Sequence, residues 1–189
     1  LIVESFGQAA AALTAHGLDK STYENKEIHS SDYDNIIKRF EKIKNSRGKH
    51  KVSNLRLEMQ QIMQNYCPVY RSEKKMLEGK KKLQDLLKKF DEVKITDESY
   101  VWNTEVIEAL ELENLLLQSI ASIESALNRK ESRGAHSRID FKKRNDKNWL
   151  KHTMVWMSNS SKPKIRYRSV NLKTNTKEIK TIEPKARVY

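Results

Sequence analysis

The chain has 189 residues, enough for one medium domain or two small ones. Hydrophobic residues make up 37% and charged residues 33%, and only 5 Gly and 3 Pro occur, which excludes a mostly β or loop-rich protein and points to a largely helical one. The net charge of +12 admits nucleic acid, anionic lipid or an acidic protein as partner; Lys outnumbers Arg 26 to 11 and spreads along helix faces, against the Arg-rich chemistry of bidentate phosphate recognition, so nucleic acid is not the expected partner.

Residues 2–16 read as a short Ala-rich helix, and residues 17–30 as a polar linker. Ser31 is a suitable N-cap for a second helix, with Asp32 and Asp34 at its positive end and Ile36, Ile37, Phe40 and Ile43 on one face. That helix should end at Gly48, in the basic loop SRGKHK. Another starts at Ser53 with an apolar stripe of Leu55, Met59, Ile62, Met63 and Tyr66, and Pro68 stops it. Cys67, the single cysteine, reads as a small buried apolar group and excludes an internal disulfide or a cysteine-based metal cage. A helix over about 72–93 turns Met76, Leu83, Leu86, Leu87 and Phe90 inward and shows its lysines outward. The last, from near Asn103 to about Leu127, carries Ala109, Leu112, Leu116, Ile120, Ile123 and Leu127 at helical spacing and should be the most buried element. The expected fold is mainly α: an antiparallel three- to four-helix bundle over 31–128, followed by a small C-terminal hairpin subdomain.

The texture changes at residue 129. RKESRGAHSRIDFKKRNDKNW has no helical period and is dense in Arg, Asp and Lys, too rich for a casual connection. HTMVWM (152–157) and IRYRSV (165–170) then alternate around a turn at NSSKP, which suggests a hairpin lying on the bundle or on a partner. The tail TIEPKARVY reads as extended. Residues 129–189 form this polar-loop and hairpin region.

No catalytic constellation emerges. The five histidines (His16, His29, His50, His136, His152) lack metal-ligand spacing, and no glycine-rich phosphate cradle is present. Glu105, Glu108, Glu111 and Glu113 read as a solvated helix face paired with the Lys-rich neighbour. No run of 18 apolar residues occurs, so no direct membrane insertion is expected, and no secretory signal pattern is visible. The segment 131–138 stands apart: Arg133 and Arg138 are fork donors for carboxylates or carbonyls, Gly134 is conformationally free, and His136 can donate or accept. It reads as a polar docking loop, either fixing itself within its own domain or meeting another chain. Because the apolar stripes offer few acceptors, Arg133, Gly134, His136 and Arg138 are the expected interface residues, and Arg133→Ala is expected to weaken assembly while sparing the free chain.

The same segment resembles the C-terminal signature of succinate dehydrogenase and fumarate reductase flavoprotein subunits: ESRGAH, then Asp140-Phe141, then Arg144-Asn145-Asp146 where the family has Arg-Asp-Asp, with Trp149 and His152 at the family spacing. MQQIMQNYCPVYR, Trp102-Asn103-Thr104, Glu111-Leu112-Glu113-Asn114 and the ending PKARVY, with Glu183 in place of a proline, extend the resemblance. Phe6-Gly7-Gln8-Ala9-Ala10 is similar to the family's FGRAA, with Gln8 for Arg, while residues 2–5 depart from the pattern. L-aspartate oxidase shares an ESRGAH-like block; the RVY ending and the Asn-Trp/His spacing favour succinate dehydrogenase.

The resemblance implies a non-catalytic C-terminal portion of the flavoprotein subunit of complex II. Residues 1–30 would be a residual flavin-domain helix and linker. The chain itself would hold no cofactor, with FAD in the N-terminal flavin-binding part and iron–sulfur clusters in the partner subunit, on the matrix side of the mitochondrial inner membrane. The start at Leu1 rather than Met suggests a processed or incomplete end, and a split subunit is the expectation. A free-standing basic helical protein that binds RNA or acts as an assembly factor is the alternative.

Overall fold

A computed structural model of the chain describes residues 30–157, 163–174, 176, 178–182 and 185. The expected helix at 2–16, the linker after it, most of the NSSKP turn and most of the tail lie outside the described residues. The chain divides into two compact units, Leu1–Arg39 and Phe40–Tyr189.

The fold is mainly helical. Helix α1 spans Ser30–Lys44, α2 Val52–Tyr66, α3 Glu73–Phe90 and α4 Thr104–Asn128, with a one-turn α5 at Asp146–Trp149. Three short strand pairs accompany them. β1 (His50–Lys51) runs parallel to β3 (Val93–Lys94), and β2 (Tyr70–Arg71) parallel to β4 (Ser137–Arg138); β5 (Lys151–Trp156) pairs antiparallel with β6 (Lys164–Ser169).

The core is made by the stripes of α2, α3 and α4, which pack against one another. Leu55, Met59 and Ile62 are buried from α2, Met76, Leu83, Leu86 and Phe90 from α3, and Val106, Ala109, Leu112, Leu116, Ile120, Ile123 and Leu127 from α4. α4 is buried along its whole length because an apolar side chain recurs every three or four residues, keeping one face turned inward for seven turns. Gly79 lets α2 and α3 close in: a Cβ there would overlap the side chain of Tyr66. Cys67 is buried and unpaired, and burial pushes its thiol up from the usual value.

Two departures from sequence expectation concern α1 and the acidic face of α4. Ser31 lies inside α1, which begins at Ser30, and of the α1 stripe only Ile43 is buried, while Ile36, Ile37 and Phe40 are exposed. Glu111 pairs with Arg56 of α2 at 3.0 Å rather than with the lysines of α3, and Glu105 turns back onto the preceding loop. Lysines of α3 do find acids elsewhere: Lys89 meets Glu58 of α2 at 2.8 Å and Lys80 meets Glu124 of α4 at 2.6 Å.

The small ladders fix which helix ends meet. β1 directly precedes α2 and β3 closely follows α3, so their pairing holds the start of α2 beside the end of α3. Gly48 is required at this clip, where a Cβ would collide with the backbone of Glu92. At the opposite end, β2 precedes α3 and pairs with β4, the strand that follows α4. Arg56 Nη2 near the start of α2 donates to the Glu108 carbonyl near the start of α4 at 3.3 Å.

Leu116 and Ile120 are fully buried at the centre of α4. Leu116→Asp or Ile120→Asp should therefore abolish folding, because an unpaired buried carboxylate costs several kcal/mol out of a total of roughly 5–15 kcal/mol. Urea denaturation followed by circular dichroism measures this, and a wild-type midpoint in either variant would contradict the buried position.

Candidate functional site

The segment after α4 folds into a compact polar structure. Arg133 and His136 exchange backbone hydrogen bonds, with Arg133 N to His136 O at 2.9 Å and His136 N to Arg133 O at 3.0 Å. This closes a tight turn with Gly134 and Ala135 at its tip. Gly134 sits at φ +56°, the left-handed region that glycine enters freely, and nothing lies within 4 Å of where a Cβ would stand. The glycine therefore serves the turn and not a close approach.

Arg138 follows the turn and is fully buried. Its Nη1 donates to the carbonyls of Ala126 at 3.0 Å and Leu127 at 3.2 Å, acceptors left open by the end of α4. Its Nε and Nη2 bind both oxygens of Asp140 at 2.7 and 2.8 Å. Asp140 Oδ2 also accepts from the backbone N–H of Glu73, the first residue of α3, at 2.8 Å. One guanidinium and one carboxylate thus cap the end of α4 and the start of α3. The fork of hydrogen bonds from Arg138 holds the Asp140 carboxyl far below the usual range.

Glu131 is a second buried anchor. Its carboxylate accepts from Arg129 Nη1 at 2.6 Å, from Arg133 Nε and Nη2 at 2.7 and 3.1 Å, and from the backbone N–H of Asn145 at 2.8 Å. Burial by itself would raise its pKa, but these donors outweigh burial and the group is shifted down. Arg133 reaches on to Asp146, which Arg144 also binds. Arg129 ties in the hairpin, donating to the carbonyls of Trp149 at 2.9 Å and Lys151 at 2.5 Å and to Thr153 Oγ1 at 3.1 Å. β5 accordingly packs against α4.

His136 joins the two anchors. Its Nδ1 lies 2.8 Å from Arg71 Nη1, and its Nε2 lies 3.1 Å from the Arg129 carbonyl. Guanidinium only donates and carbonyl only accepts, so the ring is neutral with its proton on Nε2. Burial, followed by the neighbouring positive charges of Arg71, Arg138 and Arg129, lowers its pKa, while the bond to the Arg129 carbonyl opposes the shift.

A cleft of about 750 Å³ opens beside this scaffold. Val69, Tyr70 and Ile139 form apolar wall that is more than half exposed in each case, and Arg133, Lys142, Arg144 and Lys185 give it a basic surround. Arg133, Gly134, His136 and Arg138 all line it. Their polar partners, however, come from their own chain. The acceptors that apolar stripes cannot offer are supplied by α4 carbonyls and by Glu131, Asp140 and Asp146. Glu131 falls inside the 131–138 segment, while Asp140 and Asp146 lie beyond it in the same polar stretch. Asp140, two residues beyond Arg138, is visible in sequence only as part of the family signature; its pairing with Arg138 is not read there, and the close i, i+2 spacing of opposite charges is the signal that carries it. Truncating Arg133 would leave the buried Glu131 short of two donors, so the free chain should lose stability as well.

Among the described residues no group of three or more His, Cys, Asp or Glu side chains is placed to hold a metal ion, and no helix is long and apolar enough to cross a membrane. The Gly134 turn leads into β4 rather than opening a helix, so the turn offers no helix N-terminus to a pyrophosphate.

Fold and site together define a helical domain whose polar end is a scaffold of buried ion pairs beside an open cleft. The family described as "Fumarate reductase flavoprotein C-term" matches residues 56–189, and the chain belongs to it. The chain is 40% identical over 184 residues to the succinate dehydrogenase flavoprotein subunit of Rickettsia bellii, covering 97% of this chain and 31% of that protein. Against the mitochondrial succinate dehydrogenase [ubiquinone] flavoprotein subunit of Oryza sativa subsp. japonica the values are 39%, 97% and 29%. The E. coli quinol fumarate reductase FrdA superposes with a TM-score of 0.77 at 31% identity, over 82% of this chain and 27% of that one. The chain thus spans about a third of the length of the curated relatives it matches.

Two outcomes follow from the scaffold. Arg138→Met should destabilise the chain by about 3 kcal/mol, because it strands both the Asp140 carboxylate and the α4 carbonyls; a denaturant midpoint near wild type would show the pair to be dispensable. For His136, a lowered folded pKa means the unfolded chain binds the proton more readily, so its contribution is complete above the ordinary value of 6.5 and is lost as pH falls from there through the lowered folded value. The melting temperature should therefore drop between pH 7.5 and 5.5, and drop less in His136→Gln. Equal drops in both proteins would remove His136 as the cause.

Proposed function

We propose that the chain is the non-catalytic C-terminal portion of a succinate dehydrogenase flavoprotein subunit, completing that subunit's fold and docking to its FAD-binding part and to the iron–sulfur subunit of complex II. The observation that carries this reading is the cleft: exposed Val69, Tyr70 and Ile139 stand on a scaffold made rigid by Arg138, Asp140 and Glu131, with basic side chains at its border. Rigid apolar surface rimmed by charge suits a protein interface. The residues that form the scaffold are the same ones that carry the family resemblance.

In this reading residues 1–30 belong with the flavin-binding part, 31–128 form the bundle and 129–189 the docking and hairpin region. The clips at both helix ends support an antiparallel arrangement of α2, α3 and α4, with α2 and α4 running the same way. Arg133, Gly134, His136 and Arg138 shape the docking surface mainly by holding the turn in place. The assembled subunit would pass hydride from succinate to FAD and electrons singly to the iron–sulfur subunit, with FAD held by the partner part. The rice relative, described as mitochondrial, supports a mitochondrial location, and the proposal takes this to be the inner-membrane complex on its matrix side.

The test expresses the tagged 189-residue chain in its own cells and measures the succinate dehydrogenase flavin and iron–sulfur subunits recovered with it. Tyr70→Glu and Ile139→Glu are exposed changes that should leave the melting temperature within about 2 °C, since surface substitutions fall within roughly 0.5 kcal/mol. They should cut recovery of the flavin-containing partner at least tenfold. Recovery equal to wild type would take the cleft out of the interface, and no recovery with the wild-type chain would end the reading.

A further inference from the structure

The connection from β3 to α4 is held by an unusual number of side-chain bonds for an exposed loop. Glu105 Oε2 accepts from the Thr96 and Asp97 N–H groups at 2.7 and 3.0 Å and from Thr96 Oγ1 at 2.9 Å. Asn103 caps α4 by accepting from Val106 N at 3.0 Å, and its Nδ2 donates to the carbonyls of Asp97 at 2.8 Å and Ser99 at 3.0 Å. Lys44 Nζ donates to the Glu98 carbonyl at 3.1 Å and lies 3.9 Å from the Tyr100 ring centroid.

On this braced base stand Tyr100, Val101 and Trp102, which are 83%, 71% and 90% exposed. Trp102 sits at φ +58°, the sole positive φ at a non-glycine among the described residues. A bulky residue there carries strain of about 1–3 kcal/mol, and strain of that size persists where it serves a site. Among the described residues the indole finds almost no cover to offset it. The loop is built to hold three apolar side chains out in water in one fixed arrangement.

We propose that Tyr100, Val101 and Trp102 form a preformed anchor that inserts into an apolar pocket on the FAD-binding part of the flavoprotein subunit. This deepens the proposed function and rests on it. Three observations select that occupant. The neighbouring charges are already satisfied, Glu98 by Arg47 at 2.8 Å and Glu105 by backbone N–H groups, so the surface offers apolar contact rather than charge. The relatives align over 97% of this chain but only 31% of their own length, so the remainder of such a subunit is roughly twice the size of this chain. α4 has 25 residues and separates the anchor from the cleft by about 37 Å, a span within reach of a globular partner about 50 Å across. The bundle would lie lengthwise on the partner, held by the cleft at one end and the anchor at the other. A braced loop loses little freedom on docking, and buried Trp and Tyr are the side chains that most often dominate such contacts.

Trp102→Gly separates docking from folding. Glycine accepts φ +58° without strain, so the variant's melting temperature should equal or exceed that of wild type. Its affinity for the separately purified FAD-binding part should fall at least thirtyfold, the equivalent of about 2 kcal/mol, and Trp102→Phe should recover part of the loss. A melting temperature lowered by several degrees would make Trp102 a structural residue and overturn the proposal. So would wild-type affinity in Trp102→Gly, which would leave the cleft reading standing. A wild-type chain that does not bind the FAD-binding part at all would overturn both. A wild-type dimer dissolved by Trp102→Gly, or flotation with phosphatidylcholine vesicles lost in it, would assign the anchor to a second copy or to lipid and overturn it too.

Discussion

The guanidinium of Arg138 is the contact on which the polar half of the molecule depends. A helix ends with carbonyls that have no partner, and burying them is costly. α4 ends inside the protein, and Arg138 supplies the missing donors for Ala126 and Leu127. Its positive charge is then balanced by Asp140, which at the same time caps α3. Remove the charge and three separate groups lose their partners at once. This explains why a fully buried arginine is tolerated: each of its three nitrogens has an acceptor, and the counter-ion also accepts from the Glu73 N–H.

Glu131 repeats the logic with the sign reversed. A buried carboxylate gathers Arg129, Arg133 and the Asn145 N–H, and through Arg129 it fixes where the hairpin begins. The two anchors stand on either side of the Gly134 turn, and His136 links them through Arg71 and the Arg129 carbonyl. The result is a loop without regular structure that is nonetheless rigid, and rigidity is what lets it support an exposed apolar wall.

Much of the helical half is legible in the amino-acid order. Met76, Leu83, Leu86 and Phe90, or Leu112, Leu116, Ile120 and Ile123, recur at the helical period, and burial is the one way to satisfy them. The alternation in HTMVWM and IRYRSV likewise marks the β5–β6 pair, whose strands each lie one residue earlier. Other features leave no periodic trace. β1 to β4 are two residues each, too short for any pattern, and they form because helix ends bring them together. The acceptors of Arg138 are backbone carbonyls, which every sequence has and none displays. Ile36, Ile37 and Phe40 have a helical stripe but remain exposed, since periodicity records an apolar face and not what covers it. The strained backbone at Trp102 is equally silent, because a tryptophan gives no sign of a left-handed φ.

The two clips at opposite ends of the helices have a kinetic side. Helices assemble from neighbours within nanoseconds to microseconds, whereas His50 meets Val93, and Tyr70 meets Ser137, only after long stretches of chain have been brought round. The clips should therefore be late events in folding, closing over helices already packed together. In reverse they act as latches whose opening precedes separation of the helices. Strengthening them should slow unfolding, and so lengthen survival under a pull or a protease, while leaving the rate of folding nearly unchanged.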